Sequence, residues 1–161
     1  MRAVTAALVA VALVPASAAK LPPAGLVVPG KSLGGIVLGM TPGQVERVWG
    51  GSHGRCRSCK QPTWYFNYAA FRPQGAGVEF RKGRVSAVFT LWAPAAWHTP
   101  KRLTIGDPAG RVTELYGALP QSHCLRYDAD LILGPATTSI YVRDEKVWGF
   151  GLSRAGAPVC R

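Results

Sequence analysis

Two stretches of this chain read as copies of one another. Leu38, Gly39, Gly43, Val45, Val48, Trp49 and Gly50 recur 67 residues later as Ile105, Gly106, Gly110, Val112, Leu115, Tyr116 and Gly117. Farther on, Val78-Glu79-Phe80 followed by Val85 matches Ile140-Tyr141-Val142 followed by Val147, at an offset of 62. Self-similarity of this kind marks one supersecondary unit used twice, because a single short unit exposes an apolar face that a neighbouring copy helps to bury. The expectation is an α+β domain of two tandem helix-plus-antiparallel-hairpin units, residues 34–98 and 99–161, forming one sheet with short helices packed on one face.

Local signals place the elements. Thr41 suits a helix N-cap and Pro42 the first helical position, where its fixed φ and missing donor do no harm. Val45, Val48 and Trp49 then give one apolar face before Gly50, so residues 42–49 read as a helix of about two turns. In the second copy Asp107 and Pro108 take the places of Thr41 and Pro42, one residue earlier in register. Segments 64–68, 77–81 and 85–92 are rich in aromatic and β-branched residues and read as antiparallel strands, the last two joined by a turn at Lys82-Gly83. A matching turn falls at Asp144-Glu145. Residues 19–33, with Pro22, Pro23 and Pro29 among several glycines, read as an extended leader with one short edge strand at 26–28.

The run Gly35-Ile36-Val37-Leu38-Gly39-Met40-Thr41-Pro42, with Val45, Val48 and Gly50, resembles the opening of the SmpA/OmlA (BamE-type) lipoprotein domain. Two such units in tandem resemble the arrangement of the β-lactamase-inhibitory proteins. The resemblance implies a fold in which each unit lays a short helical element on an antiparallel sheet whose other face is available to a protein. It also implies, as one form of that binding, an inhibitor of a secreted enzyme. The chain lacks a lipobox cysteine, so lipid tethering is not expected.

Arg2, the apolar run from Ala3 to Val14, Pro15 and the small triplet Ala16-Ser17-Ala18 form a signal peptide pattern over 1–18. The run is shorter than the roughly 20 residues needed to cross a bilayer, so no transmembrane segment is expected after cleavage. The expected location is secreted or extracytoplasmic, in the cell envelope. Nineteen Lys and Arg against eight Asp and Glu give a formal charge of +11, spread along the chain. Such a field favours acidic partners, either a protein or an anionic envelope polymer, and the compartment argues against nucleic acid.

Four cysteines in an exported chain read as two disulfides. Spacing alone does not dictate the pairing; the expected one joins Cys124 to Cys160 and Cys56 to Cys59. A competing reading makes Cys56-x-x-Cys59 a thiol-disulfide redox pair, since Arg55, Arg57 and Lys60 surround it with positive charge. Against this, Gln61-Pro62 leads into a strand, and the activating helix N-terminus is missing. Another gives His53, Cys56 and Cys59, with His123 or Cys124, to a zinc ion, but only one Cys-x-x-Cys pair exists. Gly25-Leu26-Val27-Val28-Pro29-Gly30-Lys31-Ser32 spells a phosphate-loop motif. Pro29 removes a donor from the loop and no helix follows, so it is rejected. His53, His98 and His123 fall in expected loops, and no hydrolase motif occurs. Asp107 is assigned to a helix cap, and Asp128 and Asp130 to a solvated loop. No catalytic residue, metal or cofactor is expected.

The candidate site is the sheet's second face. If Val78 and Phe80 point to the helix, period-two alternation turns Glu79 and Arg81 away from it, and Tyr141 and Arg143 likewise if Ile140 and Val142 face the core. Tyr65 and Trp92 join them as expected partner-binding residues, because aromatics mixed with Arg are the chemistry of protein-binding hot spots.

Overall fold

The computed structural model describes residues 24–66, 75–92 and 96–161. The signal pattern 1–18, leader residues 19–23, and positions 67 and 68 of the first expected strand lie outside them.

The fold is mixed α+β, mostly antiparallel sheet with two short helices among the described residues. In chain order the elements are β1 (Ala24–Val28), β2 (Ser32–Leu33), α1 (Pro42–Trp49), β3 (Gly54–Arg55), β4 (Thr63–Phe66), β5 (Gly75–Arg81), β6 (Arg84–Leu91) and β7 (Ala96–His98). They continue with α2 (Gly110–Tyr116), β8 (Gln121–His123), β9 (Asp128–Ile132), β10 (Ala136–Arg143) and β11 (Lys146–Arg154). Among the described residues eight strands form the main sheet in the order β3-β4-β5-β6-β11-β10-β9-β8, and β2-β1-β7 form a small second sheet.

Helix α1 has the bounds its sequence predicts. The Thr41 hydroxyl accepts from the Gln44 N–H at 3.3 Å and the Gln44 side chain accepts from the Thr41 N–H at 2.7 Å, so two otherwise orphaned donors are satisfied reciprocally. Helix α2 corrects the expectation. It starts after Ala109, and the Asp107 carboxylate accepts from the Thr104 N–H at 2.9 Å and pairs with Arg111 at 3.4 Å instead of capping the helix. The cause lies in the neighbouring hairpin: the Ala109 N–H donates to Glu145 O, and Pro108 bridges to Lys146, which delays the first helical turn.

Corresponding positions in the two halves make corresponding bonds. Gly39 N–H donates to Val85 O and Val85 N–H to Met40 O, each at 2.8 Å. Gly106 N–H donates to Val147 O and Val147 N–H to Asp107 O, again at 2.8 Å. Gly39 and Gly106 have φ of 90° and 97°, a region costly to other residues. The register irregularity of β5 falls between Glu79 and Phe80, and that of β10 between Tyr141 and Val142.

The main core lies on the helix side of the sheet. Val45 and Trp49 of α1 and Val112 of α2 pack with Val78, Val88, Ile140, Phe150 and Leu152. The assigned leader is partly inside this core: Val27 and Leu33 are buried, β1 pairs in parallel with β7, and the Gly30 N–H donates to the Thr138 hydroxyl at 2.8 Å. Apolar burial, invisible in the Pro- and Gly-rich local pattern, makes residues 24–33 part of the domain. The phosphate-loop lookalike is the β1–β2 hairpin.

Candidate functional site

Strand register decides what the second face offers. Tyr65, Gly77, Phe89, Gly151 and Ser139 lie side by side across β4, β5, β6, β11 and β10, and Thr63, Glu79, Ala87, Ser153 and Thr137 form the next row on that face. The intervening row, Trp64, Val78, Val88, Leu152 and Thr138, faces the helices. The second face is floored mostly by small residues, and its aromatics reach over glycines: a Cβ on Gly77 would fall 2.2 Å from the tip of the Phe89 ring, and one on Gly151 as close as 2.3 Å to the Tyr141 hydroxyl.

Residues 155–161 cover part of this face. The Tyr141 hydroxyl donates to Val159 O at 2.9 Å, the Tyr127 hydroxyl to Arg161 O at 2.7 Å, and Val159 packs against the cluster of Phe89, Ala129, Tyr141 and Trp148. Cys124–Cys160 fastens the segment covalently. Its last side chain reaches the other half: Arg161 pairs with Glu79 at 3.3 Å and its guanidinium lies 5.8 Å from the Phe89 ring centroid. Burial pushes the Tyr141 hydroxyl well above the usual phenol range, with Arg161 pulling it partly back. Tyr127 is raised by burial as well, against the pull of its bond to Arg161.

Beside this segment, over β4, β5 and β6, the face is concave. A groove of about 700 Å³ runs between the sheet and residues 154–161. Tyr65, Phe89 and Leu91 supply apolar wall, with Tyr65 edge-on to Phe89 at 6.3 Å; Lys60, Arg81 and Arg154 stand exposed along one end. The Cys56–Cys59 bridge borders it through Cys59, whose sulfur is 3.8 Å from the Tyr65 hydroxyl.

The five expected partner-binding residues therefore separate. Tyr65 and Arg81 line the groove. Tyr141 shares the face but is fully buried beneath residues 155–161, so its exposure is corrected. Arg143 lies over Trp148 at 5.3 Å and pairs with Asp144 at 3.5 Å. It sits at the opposite end of the sheet from Arg81, because β6 and β11 are antiparallel and their hairpin turns point apart. Trp92 lies beyond β6 with φ of 62°, its N–H donating to Trp148 O at 2.6 Å, and does not line the groove. Phe89, Arg154 and Arg161 were not singled out by the sequence; for the covering segment the available signal was Cys160. Both disulfides join the expected partners. His53 stacks on Trp64 at 3.7 Å and touches Glu46 at 3.3 Å, and no cluster of three metal-ligating side chains occurs among the described residues. Asp128 and Asp130 belong to β9, where they bond His123 and Gln121, each at 2.8 Å, so the loop assignment is corrected.

No family model matches the chain, and no curated protein does. A solved structure similar in fold is an extracellular protein containing an SCP domain from Bacillus anthracis, with a TM-score of 0.53 and 10 % identity. The match covers 73 % of this chain and 44 % of that one, so the chain spans less than half of that protein's length. At this identity the likeness is one of fold alone. No helix among the described residues is long and apolar enough to cross a membrane.

Proposed function

We propose that this protein is an extracytoplasmic, non-catalytic binding module, built from two copies of one helix-plus-hairpin unit, that holds a protein or an anionic envelope polymer in the groove on the second face of its sheet. The observation that carries this is the groove itself, apolar inside and cationic at one end, on a face whose other half is already covered. Concave, largely apolar sites with a few placed polar groups are where proteins take ligands. The two disulfides support an oxidising compartment, as does the signal pattern over 1–18. The matched bonds of Gly39 and Gly106 support the duplication, and with it the resemblance to BamE-type units in tandem.

A photo-crosslinking side chain at position 81 tests the site against one at position 143, on cells that produce the protein. Adducts from position 81 and none from position 143 are expected. Adducts from 143 alone, or equal labelling from both, would move the binding surface out of the groove.

A further inference from the structure

We infer that the groove takes an extended acidic peptide segment carrying a bulky apolar side chain a few residues from its carboxylates, an inference that rests on the groove being the binding site. The lining is divided along its length. Arg81 ends β5, Arg154 ends β11 and Lys60 precedes β4, which brings three exposed cations to the same end. Among the described residues no carboxylate pairs with any of the three. The groove's own carboxylate, Glu79, is already held by Arg161. That end therefore presents uncompensated positive charge to a ligand.

Farther along the same strands the chemistry changes. Four positions back from Arg81, Gly77 lies under the Phe89 ring with Tyr65 beside it, and Leu91 follows opposite Gly75. At a rise of about 3.3 Å per residue, the cationic end and this aromatic floor are roughly 13 Å apart, the span of about four extended residues. A uniformly charged polyanion matches the first part and fails at the second, because its middle charges would be desolvated over Phe89 and Leu91, where the neighbouring Arg161 is already held by Glu79. A purely apolar ligand leaves the three cations unused. An extended peptide with carboxylates at one end and a large apolar residue three or four positions away satisfies both. It also buries an aromatic or aliphatic anchor where interface energy concentrates.

The experiment selects binders from a displayed library of random peptides, about twelve residues long, on the full protein. It repeats the selection on Arg81→Glu/Arg154→Glu and on Leu91→Arg, with each melting temperature measured to establish folding. Poly-glutamate and heparin are measured alongside. Enriched peptides should pair acidic residues with a bulky apolar one at a spacing of three or four. They should lose at least about tenfold in affinity, about 1.4 kcal/mol, on each variant. Poly-glutamate or heparin binding as tightly as the selected peptides, or enriched peptides without acidic residues that fail only on Leu91→Arg, would overturn the peptide class while leaving the groove as the site. Enrichment indifferent to both variants, or no enrichment at all, would overturn the groove as well.

Discussion

Glycines 77, 149 and 43 differ in what a methyl group would meet, and they separate the packing of this sheet from its backbone geometry. A Cβ on Gly149 would lie 2.0 Å from the Thr90 carbonyl oxygen, which the strand cannot withdraw, whereas one on Gly77 meets the Phe89 ring. Gly149→Ala should therefore destabilise more than Gly77→Ala, for which about 1–3 kcal/mol is expected from overpacking. Gly43, in the first turn of α1 with nothing within 4 Å, should instead stabilise by about 0.4–1 kcal/mol when changed to Ala. Urea melts of the three variants check the order. Tyr116, Tyr127 and Tyr141 all hold their protons more tightly in the folded protein, chiefly through burial. Stability should then be intact below a pH of about 10 and fall as pH rises above it, where the unfolded chain ionises first. Urea midpoints taken between pH 8 and 11 test this; a flat profile would contradict it. Tyr141 also shows how far residue patterns reach. Alternation assigned it to the same face as Glu79, and the register agrees, yet a pattern of period two says nothing about a segment returning from far along the chain to cover that face.

Elements whose signals are local were legible. Thr41, Pro42 and Gly50 bracket α1, and Lys82-Gly83 and Asp144-Glu145 form the turns, with positive φ at all four. Elements defined by distant partners were legible in part or not at all. The expected edge strand at 26–28 falls inside β1, but its parallel pairing with β7 some seventy residues away had no local signal, and β8, a polar edge strand reading Gln-Ser-His, has no apolar alternation to betray it. The start of α2 moved because a hairpin holds Ala109. The groove was half legible: Tyr65 and Arg81 were named, whereas its far wall is residues 154–161, flagged in sequence by Cys160 alone. The bridge holding that wall closes 36 positions and its counterpart closes 3. In the chain-entropy account these are worth about 4 and about 1.6 kcal/mol. Replacing Cys124 and Cys160 by Ser should lower the urea midpoint well beyond the same change at Cys56 and Cys59. Equal losses would contradict the ordering by loop length.

The strand order divides the molecule into two runs, β3 to β6 and β8 to β11, that meet along one pair of strands. Between Phe89 and Gly151 the pairing reads the same from either side, since Ala87 faces Ser153 where Leu91 faces Gly149. Cut after His98, the first run would display the whole length of β6 as an open edge, and the second would display β11. Neither half would then be a finished object, and an open β edge takes whatever strand it finds. Produced separately, residues 19–98 and 99–161 should self-associate; mixed, they should recombine one to one and elute at the mass of the uncut chain. The seam at β6 and β11 is the one stitch that turns two runs of strands into a single sheet, and it is where the molecule would come apart.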